Sequence, residues 1–290
     1  MSKSKSTIKA KKKSLKRAKI KSTAKAKGKS IVKAKAKGIA KAGGIRKAKG
    51  KGVAKVKAAA AKLVRFELDG KECTAKSGQT IVEAAKANGI YVPVLCYYEG
   101  MNPAGICRMC TVKVDGRNMA GCTTPISEGM IIESNIPELE DMRKALVELL
   151  FVEGNHMCPT CEKSGNCELQ ALGYRYQMLV PRFPYQFPLR KIDASYSKIM
   201  IDNNRCVQCR RCVRGITTKD GRHIFAMTNR SGKSTIIADR ELEAKMPDVL
   251  AKKAMDQCPV GAILKKEVGF AVPIGMRKYD KTPIGSEIQE

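Results

Sequence analysis

The first 62 residues of this 290-residue chain contain no aspartate and no glutamate, although they hold 24 of its 56 lysines and arginines. Lys, Ala, Gly and Ser make up most of this segment, which leaves too few large apolar side chains to form a core. We therefore expect residues 1–62 to be a disordered basic tail. It is an arm for an anionic surface or nucleic acid, a solubilising extension, or the product of a misassigned start codon.

Long hydrophobic runs are also absent from the sequence. No segment approaches the ~18 apolar residues that a membrane-spanning helix needs, and no apolar stretch of roughly 7 to 15 residues follows the basic start, as a secretory signal requires. We therefore expect a cytoplasmic protein in a reducing environment. In that environment grouped cysteines indicate metal binding or catalysis in preference to disulfides.

The chain further lacks the G-x-G-x-x-G fingerprint of a dinucleotide-binding strand and helix. Gly232-Lys233-Ser234 looks like the end of a phosphate-binding loop, but Met227 occupies the position where that loop needs its first glycine. No nucleophile with an adjacent base stands out either. We therefore predict no catalytic residues and no residues that bind NAD or flavin.

The sequence does contain twelve cysteines and two histidines. Eleven of the cysteines and one histidine fall into three consecutive sets of four. The first set is Cys96, Cys107, Cys110 and Cys122, the second is His156, Cys158, Cys161 and Cys167, and the third is Cys206, Cys209, Cys212 and Cys258. Such sets are typical of iron-sulfur clusters, and zinc is the alternative because four thiolates also bind zinc.

Residues 63–135 have the pattern of a small domain built on β-hairpins. An alternating strand ends at the Asp69-Gly70 turn, and the return strand places Cys73 opposite Phe66 on the inward face. Cys73, which belongs to none of the three sets, is therefore predicted to be a small core residue and not a ligand.

Thr80 and Glu83 form the capping box of a short helix after this hairpin. Strand, strand, helix and then a loop rich in Gly, Pro and Cys is the order of a β-grasp ferredoxin. A second hairpin turns at Asp115-Gly116, and counting back from that turn places Cys122 across from residue 109. The hairpin therefore returns Cys122 to the other cysteines of the first set, as one four-thiolate site requires.

Residues 136–180 are predicted to begin with a helix that starts at Pro137 and leads to the second set. The spacing of that set resembles the 4Fe-4S site with one histidine and three cysteine ligands of iron-only hydrogenases and complex I. Only Met157 separates His156 from the first cysteine, where the family pattern has three residues. His156 is the predicted fourth ligand, and the alternatives are another donor or a water on that iron.

In residues 190–265 the third set begins with the C-x2-C-x2-C triplet of a bacterial 4Fe-4S ferredoxin and ends in Cys258-Pro259. No second triplet exists, so Cys258 closes the same cluster. The basic residues around the triplet are Arg205, Arg210, Arg211 and Arg214. Three interpretations of these arginines are open: they offset the charge of the cluster, they contact an acidic partner, or they form a solvated basic face.

From about residue 63 to 285 the chain resembles the small diaphorase (gamma) subunit family of bidirectional NAD-reducing nickel-iron hydrogenases. That family is related to the N-terminal iron-sulfur part of the complex I large iron-sulfur subunit and of iron-only hydrogenases. The segments that carry the resemblance are Glu153-Gly-Asn-His-Met-Cys158, Glu162-Lys-Ser-Gly-Asn-Cys-Glu-Leu-Gln170, Asp193-Ala-Ser195, Cys258-Pro-Val-Gly-Ala262 and Gly269-Phe-Ala-Val-Pro273.

The resemblance implies an α+β fold after the basic tail. Its parts are a β-grasp 2Fe-2S ferredoxin domain at 63–135, a small helical 4Fe-4S domain with one histidine and three cysteine ligands at 136–180, a ferredoxin-like 4Fe-4S domain at 190–265 and a C-terminal extension at 266–290. One 2Fe-2S and two 4Fe-4S clusters follow, with the first set holding the 2Fe-2S cluster.

The implied function is a non-catalytic electron relay between nickel-iron hydrogenase small and large subunits and a large diaphorase subunit that binds flavin and NAD. The alternatives are the equivalent small subunit of an NAD-dependent formate dehydrogenase, a bifurcating hydrogenase or a complex I-like NADH dehydrogenase. An alternative of another class is a zinc-binding protein that binds nucleic acid through the basic tail.

Overall fold

The computed structural model describes residues 62–288. The predicted disordered tail lies outside the described residues, apart from Lys62. The residues that are described belong to one compact unit. Among them no helix is both long enough and apolar enough to cross a membrane.

The unit begins with a five-stranded sheet and one helix that packs on it. The strands are β1 (Leu63–Leu68), β2 (Lys71–Lys76), β3 (Thr111–Val114), β4 (Arg117–Ala120) and β5 (Ile131–Glu133), and the helix is α1 (Ile81–Ala87). The strand order is β2-β1-β5-β3-β4. Neighbouring strands are antiparallel except β1 and β5, which are parallel.

Two Asp-Gly turns close the hairpins of this sheet, as predicted. The φ angles are 52° and 76° at Asp69-Gly70 and 46° and 78° at Asp115-Gly116, and two successive positive φ angles characterise a type I′ turn. Phe66 pairs with Cys73 across the first hairpin. Cys73 is 5% exposed, so its prediction as a core residue is confirmed.

Helix α1 has the capping box predicted from the sequence. The Thr80 side chain accepts a hydrogen bond from the Glu83 backbone, and the Glu83 carboxylate accepts one from the Thr80 backbone at 2.8 Å. These bonds satisfy two N–H groups that have no partner within the helix. The start of α1 is therefore determined locally.

Two further helices, α2 (Pro137–Val152) and α3 (Glu168–Arg175), frame the segment that contains the second set. Pro137 is the first residue of α2, as predicted, because its missing N–H group has no partner at that position anyway. The buried face of α2 includes Leu139, Arg143 and Val147 at helical spacing, and Arg143 is only 1% exposed.

The remaining elements surround the third set. Strand β7 (Ile199–Asp202) lies between β6 (Ile192–Asp193) and β10 (Ile263–Lys265), and β8 (Phe225–Thr228) pairs with β9 (Thr235–Ala238) in a hairpin. The helices are α4 (Arg211–Gly215), α5 (Arg240–Ala244) and α6 (Asp248–Gln257).

The described residues contain two hydrophobic cores. One lies between the five-stranded sheet and α1 and includes Phe66 and Ile81. The other combines Leu172 from α3 with Ile201 from β7 and Ile284 from the C-terminal extension. The segments 136–180 and 190–265, which the sequence presented as separate domains, thus share one core.

Candidate metal centres

The cysteines of the first set meet in the loop before β3 and just after β4. The Cys96 N–H group donates to the Cys107 sulfur at 3.3 Å, and the Cys122 N–H group donates to the Cys110 sulfur at 3.4 Å. The β3–β4 register is the one predicted from the turn. The hairpin therefore returns Cys122 to the set as expected.

Hydrogen bonds between the sulfurs dominate the electrostatics of the first set. Bonding from Cys107 lowers the pKa of Cys96 to about 2, and bonding from Cys122 lowers that of Cys110. The same contacts raise the pKa of the two donors. The bond with Cys96 raises the pKa of Cys107, and the bond with Cys110 raises the pKa of Cys122. All four sulfurs thus belong to one connected group, in which Cys96 and Cys110 favour the thiolate, the form that binds iron, and Cys107 and Cys122 keep their protons.

Three cysteines of the second set lie between α2 and α3. Cys158 begins a short 3-10 turn, and Cys167 caps the start of α3, where its sulfur accepts a hydrogen bond from the Gln170 backbone at 3.4 Å. Burial raises the pKa of Cys167 to about 12. Burial also raises the pKa of Cys158, and the nearby Cys161 sulfur adds to that rise. The three sulfurs therefore lie within electrostatic range of one another.

His156 lies in the loop just after α2, which ends at Val152. Its ring packs against Phe151, with 5.3 Å between the ring centroids. Burial lowers the pKa of His156 to about 4, although a hydrogen bond with the Leu150 backbone opposes this effect. The imidazole is therefore neutral at pH 7, which is the form that ligates metal. These contacts hold the ring against α2, and the ligand role of His156 stays a prediction.

The third set brings distant parts of the sequence together. Cys212 is in α4, and Cys258 directly follows the last turn of α6. Burial raises the pKa of Cys206 and Cys209 to about 12 and that of Cys212 well above its usual value. The Cys258 sulfur adds to the rise at each of the three. Cys258 thus lies with the triplet, in the place that the sequence predicts.

Two arginines near the triplet reach the other sets. Arg205 donates from Nη1 to the Cys161 sulfur of the second set at 3.5 Å. Arg214 donates from Nη2 to the Cys96 carbonyl oxygen of the first set at 2.7 Å. A short segment around the third set therefore forms direct hydrogen bonds to both of the others.

Arg211 is the most buried of these arginines, at 1% exposed, and it binds the Glu168 carboxylate through both of its terminal nitrogens. Arg210 is exposed. The interpretation of the arginines as a solvated basic face therefore applies to Arg210, while Arg205, Arg211 and Arg214 turn inward.

Buried donors around the third set test whether the residues fit an iron-sulfur cluster. The Nε–H groups of Arg190, Arg211 and Arg214 are buried, and no hydrogen-bond acceptor meets them among residues 62–288. A buried donor without an acceptor is costly, and the sulfur atoms of a cluster are acceptors in iron-sulfur proteins. Neutral, desolvated thiols also become thiolates when iron replaces their protons. The donor set therefore fits a cluster.

A single metal ion such as zinc is the alternative to a cluster. Within residues 62–288 no three side chains of His, Cys, Asp or Glu group closely enough to hold one ion. A zinc ion needs four ligand atoms around one point, whereas a cluster distributes its thiolates over several iron atoms.

The other histidine lies apart from the three sets. His223 is exposed and forms an isolated bridge with Thr217 before β8. It contributes to the local backbone pairing, in agreement with its interpretation as a structural residue.

Sequence reasoning missed the role of Gly261. A Cβ atom on Gly261 would lie 2.5 Å from the Cys161 sulfur, which is closer than real Cβ atoms approach their neighbours, and 3.3 Å from the Lys163 Cβ, which is a tight contact. The Cys-Pro-Val-Gly-Ala segment of the third set therefore packs directly on the second set. In the sequence, the glycine indicates that another part of the chain packs closely on this segment. It does not indicate which residue that neighbour is.

Comparison with known protein families matches three consecutive parts of the chain. Residues 61–137 match the 2Fe-2S iron-sulfur cluster binding domain. Residues 143–182 match the NADH-ubiquinone oxidoreductase-G iron-sulfur binding region, and residues 197–264 match the ferredoxin-like domain of NADH-quinone oxidoreductase subunit 3. With its mixed α/β structure and its 2Fe-2S and 4Fe-4S domains, the chain is an iron-sulfur electron-transfer subunit of an oxidoreductase.

Comparison with individual proteins shows which family of iron-sulfur subunits the chain belongs to. The chain is 50% identical to the NAD-reducing hydrogenase HoxS subunit gamma of Cupriavidus necator, over 75% of this chain and 93% of that protein. It is 39% identical, with a TM-score of 0.70, to a chain in a crystal structure of NAD+-reducing [NiFe]-hydrogenase in the H2-reduced state, over 76% of this chain and 94% of that one. The chain belongs to the family of NAD-reducing hydrogenase gamma subunits.

A more distant relative is the mitochondrial 78 kDa subunit of NADH-ubiquinone oxidoreductase from Neurospora crassa. The identity is 30% over 76% of this chain, but the match covers only 30% of that longer protein. The iron-sulfur region is thus common to hydrogenase and NADH dehydrogenase subunits, as the sequence resemblance implied.

Proposed function

We propose that this subunit relays electrons between nickel-iron hydrogenase small and large subunits and a large diaphorase subunit that binds flavin and NAD. The observation that carries the proposal is the direct bonding between the three sets, from Arg205 to Cys161 and from Arg214 to Cys96. A relay needs its centres held at fixed separations in one rigid body. These bonds, together with the shared core of the second and third segments, supply that rigidity.

The first set is the proposed site of one 2Fe-2S cluster, ligated by Cys96, Cys107, Cys110 and Cys122. The strand order β2-β1-β5-β3-β4 with α1 on one face supports a β-grasp fold for this region. Three of these four cysteines are at most 1% exposed. The fold therefore excludes water from Cys96, Cys110 and Cys122, while Cys107 is partly exposed.

The second and third sets are the proposed sites of two 4Fe-4S clusters. The ligands are His156, Cys158, Cys161 and Cys167 in the helical second domain, and Cys206, Cys209, Cys212 and Cys258 in the ferredoxin-like third domain. When bound, the clusters supply the one-electron chemistry. The chain positions their ligands, excludes water and directs N–H groups toward sulfur, for example from Gln208 to Cys206 at 3.4 Å.

The partners, the cytoplasmic location and the absence of catalytic, NAD-binding and flavin-binding residues in this chain remain part of the proposal. The gamma subunit of Cupriavidus necator, named for an NAD-reducing hydrogenase, favours the hydrogenase assignment because the chain covers 93% of it. The equivalent subunit of a formate dehydrogenase, a bifurcating hydrogenase or a complex I-like enzyme is the second candidate, because the complex I relatives share the same region.

Anaerobic affinity purification tests the proposal in one preparation. We expect about ten irons and no zinc per chain, a hydrogenase and a flavoprotein among the bound subunits, and hydrogen-dependent reduction of NAD+ by the complex. The chain alone should oxidise no NADH. Zinc in place of iron would support the nucleic-acid-binding alternative, and a bound formate dehydrogenase would reassign the complex.

A further inference from the structure

The side chain of Arg211 forms a buried, two-point ion pair with Glu168. The distances are 2.6 Å from Nη1 to Oε1 and 2.7 Å from Nη2 to Oε2. The Arg211 side chain is 2% exposed and the Glu168 side chain is 20% exposed. The pair is therefore fixed in geometry and only weakly screened by solvent.

Each member of the pair is directly attached to a predicted cluster ligand in the sequence. Arg211 precedes Cys212 of the third set, and Glu168 follows Cys167 of the second set. The ion pair therefore joins the residue next to Cys212 to the residue next to Cys167 through their side chains.

Further hydrogen bonds bind both residues to the end of the third set. The Glu168 N–H group donates to the Pro259 carbonyl oxygen at 2.8 Å, directly after Cys258. Arg211 Nη1 lies 3.4 Å from the Gln257 carbonyl oxygen, directly before Cys258. Two opposite charges are thus held where the second and third sets meet.

A charge in this position acts on any redox centre that the two sets hold. A buried positive charge favours the reduced, more negative form of a centre and raises its reduction potential, while a buried negative charge lowers it. The hydrogen bonds of Glu168 and Arg211 to the backbone on either side of Cys258 hold both charges close to that predicted ligand of the third set.

We propose that the buried Arg211–Glu168 ion pair sets the reduction potentials of the second and third centres together, with each charge offsetting the effect of the other on both. The proposal rests on the function proposed above, because it requires clusters at these sets. Arg211 and Glu168 are positioning residues in this scheme, since they act on the centres through space and through neighbouring ligands.

The sign of each effect separates this role from a purely structural one. Arg211→Met leaves the Glu168 charge uncompensated, so both 4Fe-4S potentials should fall. Glu168→Gln leaves the Arg211 charge uncompensated, so both potentials should rise. The double variant removes both charges, and both potentials should return toward the wild-type values. Damage to the fold would shift the two single variants in the same direction or remove iron from both.

The test is redox titration of the wild type and variants in the full-length chain, followed by the EPR signals of the two 4Fe-4S clusters. We expect each single variant to change the equilibrium constant of reduction about tenfold, which is about 59 mV for one electron. Arg211→Lys keeps the charge and should stay within about threefold of the wild type. The matched control is Arg222→Met, since Arg222 is an exposed arginine paired with exposed Asp220.

Removal of one partner from a buried ion pair destabilises proteins, so Glu168→Gln, compared with the double variant, provides the test even where Arg211→Met does not fold. An iron-loaded Glu168→Gln variant with unshifted potentials would overturn the inference and leave the relay function intact. A wild-type chain without iron-sulfur clusters would overturn both. Opposite shifts in the two single variants, cancelled in the double variant, would support the inference.

Discussion

Gly261 packs so closely on the Cys161 sulfur that no side chain fits between them. Because a Cβ would lie 2.5 Å from that sulfur, Gly261→Ala must displace either Cys161 or the Cys-Pro segment of the third set. We expect the variant to lose one 4Fe-4S cluster, about four irons per chain, and to keep the 2Fe-2S signal. Iron analysis combined with EPR measures both.

The matched control for this variant is Gly232→Ala, because a Cβ on Gly232 would have no neighbour within 4 Å. It should keep the full iron content. A Gly261→Ala chain with unchanged iron and unchanged EPR signals would show that the two sets can separate without loss of either site.

His156 gives a second prediction at the scale of one residue. If its imidazole ligates the second cluster, His156→Ala changes the EPR signal of one 4Fe-4S cluster and leaves the 2Fe-2S signal as it is. The alternative is that the ring serves only to pack against Phe151, in which case the spectrum stays the same. His223→Ala is the control, since His223 is exposed.

Helix α2 is held to the first cluster region by Arg143. This buried side chain donates to the carbonyl oxygens of Ser134 at 2.7 Å, Thr111 at 2.8 Å and Met109 at 3.3 Å. Met109 and Thr111 flank Cys110. Arg143 therefore fixes the backbone on either side of a predicted ligand.

Replacement of Arg143 by Leu leaves these carbonyl groups without their donor, and we expect a loss of about 3 kcal/mol in stability. The measurement is the denaturant concentration at which the 2Fe-2S absorbance is lost under anaerobic conditions. The control is Lys252→Met, whose exposed ion pair with Asp256 should contribute less than about 1 kcal/mol. Equal midpoints for both variants would contradict the role of Arg143.

Among the elements, the two Asp-Gly hairpins of the five-stranded sheet were predictable and β5 was not. The hairpins have alternating strands on either side of an Asp-Gly pair, so their register follows from local sequence, including the pairing of Phe66 with Cys73. The three residues of β5 have no such signal. Their parallel pairing with β1 joins Glu67 to Ile131, and contacts at that sequence separation depend on the packing of the whole sheet.

At the scale of the whole molecule, membership of each cysteine set was predictable because most ligands follow one another at short spacing. The connections between sets were not. Arg214 reaches the Cys96 carbonyl oxygen across 118 positions, and the sequence around Arg214 equally allowed a solvated basic face. Burial decides between these possibilities, and burial is a property of the assembled fold.

The basic tail is predicted to be dispensable for the relay. All twelve predicted ligands lie between Cys96 and Cys258, so deletion of residues 2–62 should leave about ten irons per chain and unchanged electron transfer within an assembled complex. Loss of iron from the truncated chain would contradict this.

If the tail binds nucleic acid, the full-length chain should lose affinity for DNA steeply, about 10³-fold or more between 50 and 200 mM salt, as counterion release requires. The truncated chain is the control, and a full-length affinity that does not depend on salt would exclude an electrostatic arm.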